Sequence, residues 1–249
     1  MSAALDARGR TRVESLRSAA PLVLRVTPDA VYMVGGAAGP IGGDELRLDI
    51  EVGPGASLTM RSAAAAVALP GPGGEASTLA VRARVGEGGT LRWLPEQSVA
   101  ARSCRHEIRT HVALAPGSRL AWREELLLGR CGEEPGRWRA RSVIDLDGRP
   151  LWRHELCLGD DTPGWKGPAV LGRSRAVGSL LVVDPAWAGD GPEPDDGPDP
   201  MVLSGTAAVL PLEGPAVVVS ALADDAHALR ESLDDGWRRA RTADEAAYG

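Results

Sequence analysis

The chain has 249 residues, of which 43% are hydrophobic and 25% charged, values typical of a soluble globular protein. Its net charge of −6 and pI near 5.3 exclude a general nucleic-acid binder, which carries a basic surface. No apolar stretch approaches the ~20 residues that span a bilayer, and residues 1–12 lack the apolar region of a secretory signal. Three cysteines at no framework spacing favour reduced thiols, so we expect a cytoplasmic protein without membrane contact.

The first unusual segment is a glycine cluster at residues 35–44, which suggests a phosphate-binding loop by composition alone. A Walker loop needs Lys and then Ser or Thr after its last glycine, whereas Asp44 and Glu45 follow here and would repel phosphate. A dinucleotide-binding fingerprint opens a helix, but alternating residues typical of a strand follow this cluster. The segment therefore predicts a tight glycine turn between strands.

Alternation of apolar and polar residues with period two is the dominant pattern of the chain. In one strand, Leu46, Leu48 and Ile50 alternate with Arg47 and Asp49. This pattern predicts strands with one buried and one wet face. The same alternation recurs in residues 79–85, 108–114, 120–128 and 137–146, with Arg as the preferred outward residue.

Three junctions between these strands resemble one another, at residues 53–57, 86–90 and 115–119. Each is rich in Gly or Pro and is followed by a leucine, and their starts lie 33 and 29 residues apart. This loose repeat predicts an all-β-dominated fold with a stacked or β-helical arrangement of strands. A β-sandwich gives similar punctuation, and the sequence alone leaves both architectures open.

The C-terminal quarter changes character twice. Residues 187–200 are rich in Pro and Asp and predict a mobile acidic loop, after which strand-like runs resume at 206–210 and 217–221. One helical face then holds Leu222, Ala226, Leu229, Leu233 and Trp237, with Ser220 or Asp224 as the cap. We therefore expect a single domain over 1–249, with a β core at 13–186, the acidic loop at 187–200, and closing strands and an amphipathic helix at 201–249.

Cys104, His106 and His111 suggest a metal site, but their spacing matches no common zinc pattern. On one strand, Cys104 and His106 would share a face while His111 would take the other. His154 falls in the apolar phase of its strand, which favours a hydrogen-bonded core histidine over a ligand. No nucleophile motif is present, so the sequence predicts a protein that is not an enzyme; a hydrolase on a β scaffold is the weakest alternative.

Glu124 is the most informative anomaly, because it occupies the apolar phase of the strand at 120–128. An inward carboxylate is costly unless it is paired or faces an internal water-filled space. One interpretation is a buried ion pair with Arg130, and another is a carboxylate that lines a polar cavity. A one-residue bulge that turns Glu124 outward is a third.

Several strings, read in order, resemble the UreD (UreH) family of urease accessory proteins. These strings are Gly42-Gly43-Asp44, Leu91-Arg92-Trp93-Leu94-Pro95-Glu96, Leu120-Ala121-Trp122-Arg123-Glu124, Leu128-Gly129-Arg130 and Asp147-Gly148-Arg149-Pro150-Leu151. None is specific alone, but the ordered set over residues 21–158 is. The chain departs from the family at residues 61–67, where a usual polar Thr-Thr-Gln-like stretch followed by Lys is replaced by alanines and only Ser62 is a counterpart.

The resemblance implies a mostly β scaffold of stacked strands with a small C-terminal helical part, without tightly bound cofactors. It also implies binding to UreF, to the GTPase UreG through UreF, and to apo-urease, with Ni²⁺ passing through an internal tunnel. Asp44 and Glu124 are the residues that we predict to line this transient Ni²⁺ route, because scattered carboxylates pass a cation on without trapping it. The alternative function is a protein-binding β module with no role in metal transfer.

Overall fold

The computed structural model describes residues 1–188 and 197–240, and β-strands dominate them. One α-helix, α1 (Ala226–Ala240), and one 3-10 helix (Pro185–Ala188) complete the elements of these residues. The strands are β1 (Ser2–Leu5), β2 (Thr11–Ser15), β3 (Leu22–Val26), β4 (Val31–Gly35), β5 (Glu45–Val52), β6 (Ser57–Ser62), β7 (Ala66–Ala68), β8 (Ser77–Val85), β9 (Thr90–Leu94), β10 (Ser98–Ala100), β11 (Arg105–Leu114), β12 (Arg119–Leu128), β13 (Arg137–Leu146), β14 (Arg149–Leu158), β15 (Ala176–Val183), β16 (Met201–Ser204), β17 (Ala207–Pro211) and β18 (Ala216–Ala223).

The strands form two sheets. Sheet A has seven strands in the order β14-β13-β11-β8-β5-β1-β2. Sheet B has eleven, nine of them in the order β16-β17-β18-β15-β12-β9-β6-β4-β3, and β7 and β10 join it beside β12. The glycine cluster lies between β4 and β5, as predicted, and the all-β fold class is confirmed.

Parallel pairing between successive repeats gives the fold its stacked, solenoid-like form. In sheet A, Leu46 of β5 pairs with Leu79 of β8, which pairs with Ile108 of β11. In sheet B, Leu58 of β6 pairs with Leu91 of β9 in the same parallel sense. Each of these strands therefore pairs with its counterpart one repeat away, so the stacked architecture is the correct one of the two predicted.

The three similar junctions stack on one another at one end of the molecule. The Gly55 amide donates to the Glu87 carbonyl at 2.9 Å, and the Gly88 amide donates to the Pro116 carbonyl at 3.3 Å. Gly55, Gly88 and Gly117 all have positive φ, which residues with a Cβ rarely adopt. The repeat in the sequence is thus a ladder of turns in space.

Apolar packing occupies three places. One cluster between the sheets includes Leu48 and Ile50, and a second between the sheets includes Leu128 and Trp138. A third cluster lies between sheet B and α1, where Leu229 and Leu233 are fully buried. The helix approaches sheet B closely because Gly236 has no side chain: a Cβ there would lie 2.4 Å from Val219 Cγ1.

The start of the helix differs from the prediction. Leu222 belongs to β18, and the helix begins at Ala226. Asp225 is the cap, since its Oδ1 accepts a hydrogen bond of 2.8 Å from the Ala228 amide. The predicted caps Ser220 and Asp224 were wrong because β18 extends further than its alternation indicated. No helix within 1–188 and 197–240 has the length and apolarity required to cross a bilayer.

The predicted acidic loop at 187–200 is only partly covered by the structure. Its first residues belong to the 3-10 helix Pro185–Ala188, where Trp187 is buried against the cluster below α1. Residues 189–196 lie outside the described residues. The prediction of a loop beginning at 187 was therefore wrong at its start, because a large apolar ring there packs into the core.

Candidate functional site

A large cavity lies between the two sheets, with a volume of about 810 Å³. Members of both inter-sheet apolar clusters line it, Trp93 and Trp122 from one and Trp138 and Leu126 from the other. The cavity therefore contacts both inter-sheet clusters. Trp93 and Trp122 stack at 4.8 Å between ring centroids and form part of the wall. A few polar groups interrupt this apolar wall, which is the usual composition of a binding cavity.

Sheet B is split beside the cavity. Strand β12 pairs with β9 as far as Trp122 and with β10 from Leu126 onward. Residues 123–125 therefore have no ladder partner on that edge, where residues 95–97 bend away. Residues from both faces of β12 in this stretch line the cavity, as do Pro95 and Glu96. The cavity therefore extends from the interior through the split toward α1.

Glu124 faces the interior, in the phase that the alternation predicted. Its Oε1 accepts a hydrogen bond of 3.0 Å from Trp122 Nε1 and another of 2.7 Å from Ser142 Oγ, across on sheet A. Its Oε2 accepts none from the described part of the chain. The predicted ion pair with Arg130 was wrong, because Arg130 binds Glu133 at 2.6 Å. Neutral donors satisfy the carboxylate instead.

Glu125 faces the opposite way, under α1, and its side chain is 1% exposed. Arg230 of α1 binds both of its oxygens, with Nη2 to Oε2 at 2.8 Å, and Arg123 Nε lies 3.2 Å from Oε1. Arg230 also reaches Glu96, and Arg123 reaches Asp234. We refer to Glu96, Arg123, Glu125, Arg230 and Asp234 as the charged cluster.

The charged cluster closes the split on its outer side. Arg123 Nη2 donates to the Pro95 carbonyl at 3.1 Å, which ties β12 to the segment that bends away. Burial lowers the pKa of Arg123, whereas the hydrogen bond to Glu125 raises the pKa of Arg230. Both groups remain charged at neutral pH, because a guanidinium is not deprotonated in proteins. The Nε of Arg123 is buried, and within residues 1–188 and 197–240 it makes no hydrogen bond, although Glu125 Oε1 lies 3.2 Å away.

The stretch in which the chain departs from the UreD pattern also lines the cavity. Residues 62–68 form one side of the split, and most of them are alanines. Ser62, the one family counterpart, has a structural position: its Oγ donates to the Ala64 carbonyl at 3.0 Å and accepts from the Glu96 amide at 2.8 Å. This part of the wall is therefore poorer in polar side chains than the UreD pattern.

Two histidines face the cavity. His106 is 5% exposed, its Nδ1 lies 2.8 Å from Ser77 Oγ, and burial lowers its pKa to about 4. It is neutral at physiological pH. His154 stacks on Trp152 at 5.5 Å between ring centroids, but its Nδ1 is buried and has no hydrogen-bond partner among the described residues. The prediction of a hydrogen-bonded core histidine was therefore wrong for His154, because its neighbours in the wall are largely apolar.

Cys104 and the histidines near it do not form a cluster of ligands. His111 takes the outer face of sheet A, as predicted, where its Nε2 lies 3.1 Å from Asp145 Oδ2. Burial raises the pKa of Cys104 to about 11, so its thiol stays protonated. Across 1–188 and 197–240, no group of three or more Cys, His, Asp and Glu side chains is placed to hold a metal ion.

Asp44 lies apart from Glu124. Its Oδ2 accepts a hydrogen bond of 2.8 Å from the Ile41 amide, which closes the glycine turn before β5. Asp44 is absent from the cavity wall formed by the described residues, although Gly39 and Pro40 of the same turn belong to it. The structure therefore brings the two predicted carboxylates to different places, Glu124 in the wall and Asp44 behind a turn at its rim.

Comparison with known proteins covers almost the whole chain. The model of the family described as UreD urease accessory protein matches residues 2–248. The chain belongs to the UreD family. A urease accessory protein UreD from Parafrankia sp. (strain EAN1pec) is 44% identical over 92% of this chain and 84% of its own length. UreD 3 of Streptomyces griseus is 46% identical, covering 94% and 92%, and UreD 1 of Saccharopolyspora erythraea is 33% identical, covering 92% and 89%.

Membership of the UreD family gives the chain a role in urease maturation, as an accessory protein and not as the urease itself. The sequence had placed Glu124 correctly but missed the charged cluster beside it. Arg123 and Glu125 fall in the polar phase of β12, where an exposed position is the ordinary expectation. Their partner Arg230 is 105 residues away from Glu125. The only signal in the sequence was the run of three consecutive charged residues, Arg123 to Glu125, in a strand that is otherwise apolar after Arg119.

Proposed function

We propose that this protein is a non-catalytic scaffold that assists the insertion of Ni²⁺ into apo-urease and that its central cavity is part of the ion's route. Within that proposal it binds UreF, and through UreF the GTPase UreG, before the assembly meets apo-urease. The single observation that carries the proposal is the position of Glu124, a carboxylate inside the molecule whose partners are both neutral. No cation of the described chain occupies its free oxygen.

The surroundings of Glu124 suit an ion in transit. A divalent cation takes oxygen ligands readily, and one carboxylate with water around it binds such an ion weakly enough to release it. Trp122 and Ser142 hold the carboxylate in place without neutralising its charge. His106, which is neutral, and His154 in the same wall add nitrogen ligands of intermediate softness.

Asp44 is the weaker member of the predicted pair. Its carboxylate already bonds the Ile41 amide, so we expect its substitution to act through the turn more than through ion passage. A loss of complex assembly in Asp44→Ala would identify a structural role. A loss of urease activation with normal assembly would instead place Asp44 on the route.

The test is urease activation with the full set of accessory proteins, in which Glu124→Gln is compared with the unmodified chain. The amide oxygen of Gln still accepts from Trp122 and Ser142, so the fold and the partner surfaces are preserved. Loss of one charged ligand, worth about 1.5–3 kcal/mol, predicts a rate of activation that is lower by roughly 10- to 150-fold. Glu87→Gln, the same change in an exposed turn, is the matched control and should leave activation unchanged.

Assembly of the accessory complex is measured in parallel by size-exclusion chromatography. Normal urease activation with Glu124→Gln would rule out a role of Glu124 in the ion's route. It would favour a protein-binding module without metal transfer. Normal assembly with reduced activation in Glu124→Gln, but not in Glu87→Gln, would support the ion route. Turnover of a small substrate by the purified chain alone would contradict the scaffold role altogether.

A further inference from the structure

The cavity between the sheets is larger than a metal ion in transit needs, and most of its wall is apolar. Its volume is about 810 Å³, whereas a divalent ion with six waters occupies roughly 200 Å³ at about 30 Å³ per water. Four tryptophans of the described residues line it, namely Trp93, Trp122, Trp138 and Trp152. A hydrated ion gains little from such a wall, but an organic ligand gains free energy by burying an apolar body against it. The cavity therefore has the size and composition of a site for an organic ligand.

The negative charge of the wall that has no counter-charge lies at Glu124. Glu96, Arg123 and Glu125 also line the cavity, but they belong to the charged cluster, in which each has a partner of opposite charge. Glu124 makes no ion pair within the described part of the chain, and both of its hydrogen-bond donors are neutral. A ligand that enters an apolar cavity beside such a carboxylate is favoured when it carries a positive charge.

Aromatic rings lie near Glu124 on both sheets. On sheet B, Trp122 Nε1 donates to the carboxylate at 3.0 Å. On sheet A, Ser142 bonds the carboxylate at 2.7 Å, and its neighbour in the register, His154, stacks on Trp152. The face of a tryptophan ring attracts a cation, and the attraction strengthens where water is excluded. Rings from both sheets are therefore available to a cation held by the carboxylate.

A row of hydroxyl groups leads from the carboxylate to solvent. In the register of sheet B, Glu124 lies beside Ser179, which lies beside Ser220. All three line the cavity, and Ser220 is exposed, as is Leu210 of β17 in the same wall. The cavity is therefore open to solvent beside β17 and β18, where a ligand can enter. The hydroxyl oxygens of the row can accept hydrogen bonds from N–H groups of that ligand.

We propose that the cavity binds a planar organic cation of the amidinium or guanidinium type, with its charged group at Glu124 and its apolar body against the tryptophan rings. Such a cation carries several N–H donors in one plane, which suit a carboxylate flanked by the hydroxyl groups of Ser142 and Ser179. A compact ammonium ion fits less well, because it is more strongly hydrated and loses more on entering an apolar cavity. This inference goes beyond the proposed function and does not depend on it, since ligand binding requires no nickel.

The test measures binding of benzamidine and benzamide to the purified full chain by isothermal titration calorimetry without metal ions. Benzamide has nearly the shape of benzamidine but no charge, so the two probes isolate the contribution of the carboxylate. Benzamidine should bind with a Kd below about 1 mM, and benzamide should bind about tenfold or more weakly. Glu124→Gln should weaken benzamidine binding at least about tenfold and leave benzamide binding nearly unchanged.

Glu87→Gln, the same change in an exposed turn, is the matched control and should bind benzamidine like the unmodified chain. Trp152→Leu keeps an apolar side chain but removes the ring, so benzamidine binding should weaken a few-fold. Thermal unfolding checks the fold of each variant, and the comparison of the two probes on the unmodified chain needs no variant.

Absence of benzamidine binding, equal affinity for the two probes, or unchanged benzamidine binding in either cavity variant would overturn the proposal. These results would leave the ion route untouched, because an ion needs the carboxylate but not the tryptophan rings. The failure of that route shows instead as normal urease activation with Glu124→Gln.

Discussion

The two faces of β12 hold their glutamate carboxylates in opposite ways. Glu124, on the cavity side, is held by the neutral donors Trp122 and Ser142 and keeps an oxygen available. Glu125, on the helix side, forms ion pairs with Arg230 and Arg123 that occupy both of its carboxylate oxygens. A carboxylate that is paired with arginines, such as Glu125, contributes to stability. A carboxylate that is held only by neutral donors, such as Glu124, can still bind an incoming cation.

The largest expected loss of stability comes from removing the ion pair between Arg230 and Glu125 on the helix side of β12. Arg230→Ala leaves Glu125 buried with only Arg123 beside it, and loss of one partner of a buried pair costs about 3–5 kcal/mol. The free energy of unfolding from urea titration measures this. Arg238→Ala, which breaks an exposed pair with Asp235 on the same helix, is the control and should cost less than about 0.5 kcal/mol.

A double variant sharpens the same point. Arg230→Met with Glu125→Leu removes both charges together, so most of the lost stability should return. If the double variant were as unstable as Arg230→Ala, the cost would come from lost packing of the arginine stem and not from an uncompensated carboxylate.

On the cavity side, we expect His106 to make the free energy of unfolding depend on pH in the acidic range. Its folded pKa of about 4 lies below the unfolded value of 6.5, so the unfolded chain binds the extra proton between these values. Stability is therefore unaffected above pH 6.5 and falls as the pH drops, by about 2–3 kcal/mol at pH 4.5. Urea titrations across this range measure the slope. His106→Gln should flatten it, and an unchanged slope would show that another group titrates.

Removing the interior carboxylate should cost less. Glu124→Ala leaves Trp122 Nε1 and Ser142 Oγ without their acceptor, a loss of about 1–3 kcal/mol. Glu124→Gln keeps an acceptor and should cost under about 1 kcal/mol, since only the charge is removed. Thermal unfolding of the two variants side by side checks the order. Equal losses would mean that the charge itself, and not the hydrogen bonds, stabilises this face.

The smallest effect is expected at the start of α1. Asp225→Ala removes the cap of the Ala228 amide and should cost about 1 kcal/mol. Asp224→Ala, one residue earlier, is the matched control and should be nearly neutral, because the structure gives the capping bond to Asp225. Urea titration distinguishes them, and a larger loss in the control would restore Asp224 as the cap.

The sequence predicted what depends on local periodicity and repeat. Alternation placed Glu124 inward, and the three similar junctions predicted the stacked turns, since both patterns arise from neighbouring residues. It could not find the partners of Glu124 or Glu125, because Ser142 and Arg230 reach them through the order of strands in space. The alternation placed His154 correctly on the inward face of its strand. Whether its Nδ1 finds a hydrogen-bond partner depends on the residues that face it across the cavity, which the local pattern does not specify. The predicted boundaries were wrong where a strand continues beyond its alternating residues, as at Leu222, which belongs to β18.

The parallel pairing of successive repeats also affects how the chain acquires its structure. Leu46 meets Leu79 and then Ile108, so each rung closes only after about thirty more residues have left the ribosome, and such separated pairings form slowly. Until then one apolar edge of the growing stack stays uncovered. The last element of the described residues, α1, covers the outer side of sheet B. Synthesis in the presence of a binding partner would therefore protect nascent edges from aggregation before the final helix arrives.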